Sequence, residues 1–176
     1  MARFVALLRG VNVGGRSLKM DALREIVATA GGTDVATYIQ SGNVVLSHRM
    51  RSSSKLGAHL SAAIEDATGM QVAVIVRTER EWERVIASNP FPDAGGTTLH
   101  VVFLADRPPA GTLDPIDLAA FAPEEATLVG RELYLHLPNG MGRAELPKAL
   151  EKLGPPVTGT ARNWNTVLKL QAMLES

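Results

Sequence analysis

Tyr38-Ile-Gln-Ser-Gly-Asn-Val-Val-Leu46 is the stretch that most clearly indicates how this chain folds. Tyr38 and Ile39 end one apolar run and Val44 begins the next, which predicts two strands joined by a short turn. Ser41-Gly42 suits that turn, because glycine adopts a positive φ without steric cost. The stretch therefore predicts a β-hairpin with a polar, uncharged tip.

Around this hairpin, the hydrophobic pattern predicts the order βαββαβ. The predicted elements are a strand over 4–8, a helix from Ser17 or Lys19 to Gly31-Gly32, strands over 35–39 and 44–47, a helix capped at Ser52–Ser54 and ended by Gly69, and a strand over 71–76.

The same order is predicted a second time. A linking helix, opened by the capping box Thr78-Glu-Arg-Glu81, follows the first unit. The second unit has a strand over 99–104, a short helix with Leu118 after Asp114-Pro115, a hairpin around Gly130-Arg131, a helix with Leu146 closed by Gly154-Pro155-Pro156, and a strand over 157–160. A final helix capped by Asn163 follows the second unit. The predicted fold class is α+β, with two tandem ferredoxin-like (βαββαβ) subdomains, mainly antiparallel sheets with helices packed on them, and a C-terminal helix. The predicted domains are 1–77 and 78–176.

Composition indicates an ordinary globular protein. The 176 residues are 45% hydrophobic and 20% charged, and none is cysteine. Apolar runs stay below the roughly 18 residues of a membrane span, and the N-terminal run is too short for a secretory signal. We expect a cytoplasmic location and no membrane partner.

Charge is unevenly distributed along a chain whose net charge is +0. Residues 1–60 hold eight Lys/Arg and three Asp/Glu, whereas residues 61–132 hold five and twelve. The N-terminal surface is therefore expected to attract anions, or to attract the acidic part of the chain or of another copy. Aromatic content of 5% disfavours single-stranded RNA recognition, which needs rings on the central strands.

Gly10-Val-Asn-Val-Gly-Gly15-Arg16-Ser17 nearly matches the phosphate-binding P-loop pattern. Arg16 stands where that pattern has Lys, and the two residues are not equivalent at a phosphate. An antiparallel hairpin after the first helix also disagrees with a parallel nucleotide-binding sheet. The looser prediction is a Gly-rich loop at a helix N-terminus that holds an anion through backbone N–H groups. The alternative is that the glycines only permit a turn.

The predicted topology brings this loop to the hairpin tip, because both lie at the same end of a βαββαβ sheet. The candidate site has Arg9 and Arg16 for charge, Gly14 and Gly15 for backbone donors, and polar side chains that orient the ligand. These are Asn12, Gln40, Ser41 and Asn43.

Arg162-Asn-Trp-Asn-Thr166 is the densest polar cluster. Arg162, Asn163 and Asn165 are candidate ligand contacts at a helix N-terminus. The alternative is that Asn163 only caps the helix while Trp164 packs in the core.

No catalytic set is identified. The four histidines, His48, His59, His100 and His136, lack metal-ligand spacing, so neither a metal nor a cofactor is expected.

Five segments resemble the signature blocks of the domain of unknown function 1697 family of bacterial proteins. They are Leu7–Gly15, Tyr38–Val45, Asn89-Pro-Phe-Pro92, Gly140-Met-Gly-Arg143 and Arg162–Leu170. The resemblance implies a small soluble α+β protein with a duplicated subdomain, and no established activity, cofactor or catalytic residue. The chain departs from the family at Arg143-Ala-Glu-Leu146, where Arg-Ser-Lys-Leu is expected.

The leading functional hypothesis is binding of a small anionic, phosphate- or nucleotide-like ligand at the polar Gly-rich loops. Whether the protein is an enzyme is left open. The alternative is a non-enzymatic interaction or assembly module that uses exposed edge strands, as a monomer or a dimer. Nucleic-acid binding is the weaker alternative.

Overall fold

The computed structural model describes residues 1–154 and 157–176. The chain forms two compact units. Unit 1 comprises Met1–Arg84 and Lys169–Ser176, and unit 2 comprises Val85–Leu168. The sequence predicts one boundary between two domains, after residue 77. In the structure the C-terminal segment Lys169–Ser176 also belongs to unit 1. There the Arg3 guanidinium donates to the carbonyl oxygens of Met173, at 3.1 Å, and Ser176, at 3.2 Å.

Unit 1 contains one four-stranded sheet with the order β2-β3-β1-β4, in which all neighbours are antiparallel. Its elements are β1 (Ala2–Leu8), α1 (Met20–Thr29), β2 (Thr33–Tyr38), β3 (Asn43–His48), α2 (Ser53–Thr68) and β4 (Val74–Thr78), after which α3 (Glu79–Ala87) begins.

Alternate residues of the central strand β1 build the core of unit 1. Phe4, Ala6 and Leu8 are buried against apolar residues of α1 and α2, such as Leu23 and Leu60. This alternation follows from the period of two in a strand, which sends every second side chain to one face of the sheet.

Unit 2 repeats the four-stranded arrangement with the order β6-β7-β5-β8, again antiparallel throughout. Its elements are β5 (Leu99–Leu104), a 3₁₀ helix (Leu118–Phe121), β6 (Glu125–Val129), β7 (Glu132–His136), a 3₁₀ helix (Met141–Arg143), α4 (Leu146–Lys152), β8 (Gly159–Asn163) and α5 (Trp164–Glu175). The fold is therefore α+β with two four-stranded antiparallel sheets.

Several predicted helix ends agree with the structure. Ser52 accepts from the Lys55 N–H, and Gly69 ends α2 with φ of +75°. Thr78 and Glu81 form the predicted capping box, in which each side chain accepts from the other residue's N–H. The sequence identifies these ends because a cap involves residues only three positions apart.

Three predicted elements differ in the structure. The strand predicted over 71–76 is Val74–Thr78, because its partner β1 ends at Leu8, opposite Val74. The strand predicted over 157–160 is Gly159–Asn163, which follows β5 in register. The Pro155-Pro156 pair, predicted to close the preceding helix, lies outside the described residues.

The third difference is the short helix predicted after Asp114-Pro115. The chain there forms successive three-residue turns, such as Asp114 N–H to Gly111 O at 3.0 Å, and only the four-residue 3₁₀ helix that begins at Leu118. The turn hydrogen bonds continue past Pro115 with the same spacing, as from Ile116 N–H to Leu113 O at 3.0 Å, so the backbone follows 3₁₀ and not α-helical geometry.

Candidate functional site

The loop after β1 and the β2–β3 hairpin lie side by side at one end of unit 1, as the strand order requires. The Leu8 N–H donates to Gly42 O at 2.9 Å, and Asn12 Nδ2 donates to Gln40 O at 2.6 Å. These residues form what we call the paired turns, which comprise Arg9–Arg16 and Ile39–Asn43.

Asn12 holds the first of these turns in place. Its φ is +57°, its Oδ1 accepts from the Leu18 N–H at 2.8 Å, and its Nδ2 donates to Leu18 O at 2.9 Å as well as to Gln40. The side chain predicted to orient a ligand is thus engaged with backbone groups, and it shapes the loop.

Gly14 and Gly15 form the tip of that turn and expose their backbone donors. Asn12 N–H donates to Arg16 O at 2.5 Å, and Arg16 N–H donates to Val13 O at 3.1 Å, which closes a tight turn over the two glycines. Their φ angles are +57° and +82°, and a Cβ added to either would meet open space. Within residues 1–154 and 157–176, their N–H groups have no hydrogen-bond acceptor.

The backbone from Gly10 to Gly14 alternates in the sign of φ. It is positive at Gly10, Asn12 and Gly14, and the intervening Val11 and Val13 are not among the positive-φ residues. The alternation ends at Gly15, whose φ is also positive, and the Asn12 N–H is engaged with Arg16 O, so the donors left without an acceptor among the described residues are those of Gly14 and Gly15.

Two arginines flank the turn, and both are exposed. The Arg16 guanidinium donates from Nη2 to Gln71 O, and its Nη1 would lie 3.5 Å from a Cβ on Gly10. Arg9 donates its N–H to Ala73 O at 3.0 Å. Backbone carbonyls of Gln71 and Ala73 therefore hold the Arg16 side chain and the Arg9 backbone in place.

The Gly-rich loop is not a helix N-terminus. Helix α1 begins at Met20, and its N-cap residue, Lys19, makes no capping hydrogen bond through its side chain. Any anion held here is therefore held by the turn and not by a helix dipole.

The hairpin tip contains one buried and two exposed polar residues. Asn43 is fully buried, and its Nδ2 donates to Tyr38 O and Ser41 Oγ, each at 2.9 Å. Gln40 and Ser41 are exposed. Asn43 thus fixes the tip from inside, while Gln40 and Ser41 face solvent.

The second polar cluster belongs to unit 2. Asn163 Oδ1 accepts from the Thr166 N–H at 3.0 Å and caps α5 as predicted. Arg162 is buried and donates to Thr160 Oγ1 and Ala161 O, each at 2.8 Å. Burial lowers the pKa of Arg162 to about 10.

Asn165 completes this cluster by covering the turn before β5. Its N–H donates to Gly96 O at 3.2 Å, and a Cβ on Gly96 would overlap its side-chain oxygen. Asn163 and Asn165 therefore have structural partners within unit 2, which favours the capping interpretation of this cluster over ligand contact.

Two exposed apolar residues of the paired turns, Val13 and Ile39, were not among the site residues predicted from the sequence. Val13 is 61% exposed and Ile39 is 51% exposed. The hydrophobic pattern predicts Ile39 as the last residue of a strand, but β2 ends at Tyr38 and Ile39 has φ of +50°. The only sequence signal was an isoleucine directly before a polar turn.

Unit 2 carries a pH-dependent contribution to stability at His100. Burial lowers its pKa below 6.5, partly offset by a hydrogen bond with the Thr98 backbone. Below the ordinary value of 6.5 the unfolded chain therefore binds a proton that the folded chain resists, and stability falls until the lowered pKa is passed.

We expect His100→Gln to flatten this acid-side loss. Urea unfolding at pH values from about 8 to about 5 measures this loss of stability, because an unperturbed histidine titrates near 6.5. The difference in stability between wild type and variant should be constant above the ordinary pKa and should shift in favour of the variant below it. Parallel curves over the whole range would contradict this assignment.

Among the described residues, no three His, Cys, Asp or Glu side chains are grouped to hold a metal ion. In the same part of the chain, no helix combines the length and the apolar character needed to cross a membrane.

The sheets and the paired turns define an α+β protein with an exposed backbone-donor site and no identified catalytic group among the described residues. The chain belongs to the family described as "Protein of unknown function (DUF1697)", whose model matches residues 1–134. No curated protein matches the sequence.

Among solved structures, the chain is similar to the conserved bacterial protein SP0830 from Streptococcus pneumoniae. The two share 20% sequence identity with a TM-score of 0.80, over 100% of this chain and 99% of the other. At this identity the similarity shows the fold alone.

Proposed function

We propose that the protein binds a small phosphate-bearing anion at the paired turns of unit 1. The observation that supports this most directly is the pair of exposed N–H groups at Gly14 and Gly15, which lack an acceptor among the described residues. Arg9 and Arg16 flank them and supply positive charge. An anion at this point would accept from both the backbone and the guanidinium groups.

In this proposal the polar residues divide into two groups. Asn12 and Asn43 hold the turns through backbone carbonyls. Gln40 and Ser41 are exposed and orient the ligand. Arg162, Asn163 and Asn165 are not assigned to this site.

The experiment is calorimetric titration with inorganic tripolyphosphate at low salt. We expect Arg16→Ala and Arg9→Ala each to weaken binding about tenfold or more, since a hydrogen bond to a charged group contributes about 1.5–3 kcal/mol. Added salt should weaken binding further.

The matched control is Arg51→Ala. Arg51 is exposed in the same unit but follows β3 at the opposite end of the sheet, where His48 pairs with Ala2. Affinity for tripolyphosphate should stay unchanged in this variant. An equal loss of tripolyphosphate affinity in Arg9→Ala, Arg16→Ala and Arg51→Ala would refute the proposed site. Absence of binding by the wild type would also refute it.

A second candidate function is assembly through a sheet edge. Strand β6 lies at the edge of its sheet and pairs with β7 over five residues without a register shift, whereas the edge strand β2 has a shift between Thr33 and Ala36. A regular edge is the better template for another strand. A concentration-dependent mass together with no response to tripolyphosphate would favour assembly.

Nucleic-acid binding has no support from the central strands. The aromatic side chains of Phe4, Phe103 and Tyr134 are buried and present no surface on which a base can stack.

We also infer that the two units are a duplicated ferredoxin-like pair. Val5 of β1 pairs with Arg77, and Val101 of β5 pairs with Arg162. Each arginine is buried, and each precedes a residue that caps the next helix, Thr78 or Asn163. This correspondence supports a repeat at the level of residues as well as of element order.

A further inference from the structure

The paired turns expose apolar as well as polar groups. Val13 and Ile39 are among the most exposed large hydrophobic residues of the chain, at 61% and 51%. Each is one residue away from the 2.6 Å hydrogen bond between Asn12 and Gln40 that joins the two turns. The two side chains therefore belong to the same end of unit 1 as Gly14 and Gly15.

The backbone at Ile39 is in an unfavourable conformation. Its φ of +50° lies in the left-handed region, where a β-branched residue is a genuine outlier. The carbonyls on both sides of it are held, since Tyr38 O accepts from Asn43 and Gln40 O accepts from Asn12. The surrounding structure thus imposes this conformation on a side chain that is half exposed. Backbone strain of this kind concentrates at ligand sites.

Two basic side chains contact the residues of β2 that precede Ile39. Lys169 Nζ lies 5.9 Å from the ring centre of Tyr38, the preceding residue. Arg24 Nη1 donates to Thr37 Oγ1 at 2.5 Å and also pairs with Asp21. Lys169 thus adds positive charge beside the strand that leads into Ile39, whereas the charge of Arg24 is balanced by Asp21.

We infer that the ligand is a phosphate ester with an apolar or aromatic organic group, which Val13 and Ile39 contact while its phosphates occupy the turn at Gly14 and Gly15. This inference rests on the proposed function and adds the second half of the ligand. Two branched side chains provide an apolar surface against which a flat group such as a nucleobase loses water. Inorganic polyphosphate would lack this contact.

The test compares nucleoside triphosphates with inorganic tripolyphosphate in the same titration. Adenosine, guanosine and thymidine triphosphates serve as probes, and at least one should bind the wild type about tenfold more tightly than tripolyphosphate, a difference of about 1.4 kcal/mol. Ile39→Asn and Val13→Ser should each reduce this advantage several-fold, because they weaken nucleotide binding more than tripolyphosphate binding.

Ile39→Asn separates contact from folding. Asparagine tolerates the left-handed region, so this variant should melt at the wild-type temperature or above it while losing nucleotide affinity. The matched control is Val129→Ser, which removes an apolar residue that is 37% exposed in unit 2 and should change neither affinity.

The outcomes distinguish the two proposals. If tripolyphosphate and the nucleotides bind equally well and Arg16→Ala weakens all of them, the inference about the organic group is wrong and the phosphate site stands. The inference about the organic group is also wrong if the nucleotide advantage survives both apolar substitutions. If none of the probes binds, the proposed function and this inference are both refuted.

Discussion

Replacing Gly42 with alanine is expected to lower the free energy of unfolding by about 2–5 kcal/mol, because a left-handed backbone costs about 1–2 kcal/mol and overpacking about 1–3 more. Gly42 has φ of +84°, and its added Cβ would lie 2.7 Å from Leu8 Cβ and 2.9 Å from Val11 Cγ2. The Leu8 N–H donates to Gly42 O at 2.9 Å, so the hairpin cannot move away without losing this hydrogen bond.

The matched control for this variant is Gly69→Ala. Gly69 has a similar φ of +75°, but no heavy atom lies within 4 Å of its added Cβ. Urea unfolding of the two variants therefore separates backbone strain, which both share, from close packing, which only Gly42 has. Equal losses of stability would show that the paired turns are not packed as described.

Gly57→Ala is expected to destabilise the protein by about 1–3 kcal/mol, although glycine to alanine within an exposed helix stabilises by about 1 kcal/mol. Gly57 is buried within α2, and its added Cβ would lie 2.6 Å from the carbonyl oxygen of Val74. That oxygen belongs to the first residue of β4. The helix can approach the sheet so closely only because no side chain intervenes.

Ala58→Gly tests the opposite substitution at the next position of the same helix. Ala58 is exposed, so this variant should lose only about 1 kcal/mol through helix propensity. Thermal or urea unfolding compares the stabilities of the two variants with that of the wild type. An increase in stability for Gly57→Ala would contradict the close contact between α2 and β4.

Both glycines bear on the candidate site. Gly42 sets the separation between the hairpin and the loop after β1, and Gly57 sets the distance of α2 from the start of β4. Ala73, the residue before β4, accepts from the Arg9 N–H. A shift at either glycine would therefore displace the turn that presents Gly14 and Gly15, and we expect phosphate affinity to fall together with stability.

The sequence placed the paired turns at one end of a sheet, and the contacts between Leu8 and Gly42 and between Asn12 and Gln40 agree with that placement. It did not distinguish polar residues that face solvent from those that hold the backbone. Asn43 and Gln40 are both polar and three positions apart, yet Asn43 is fully buried and Gln40 is exposed. Asn43 is the first residue of β3 and lies opposite Leu7 of the central strand β1, and this pairing between distant parts of the chain buries it.

By itself, the sequence determined the order of the elements, the family and the caps of several helices. Ser52, Thr78 and Asn163 act on N–H groups only three residues away, so local sequence was sufficient to identify them. Tertiary structure decided the conformation of Ile39, where the apolar pattern predicted an ordinary strand end. Hydrogen bonds from Asn12 and Asn43 impose the left-handed conformation on Ile39, and Asn12 lies far away in sequence. A contact across that separation forms only once the sheet has folded.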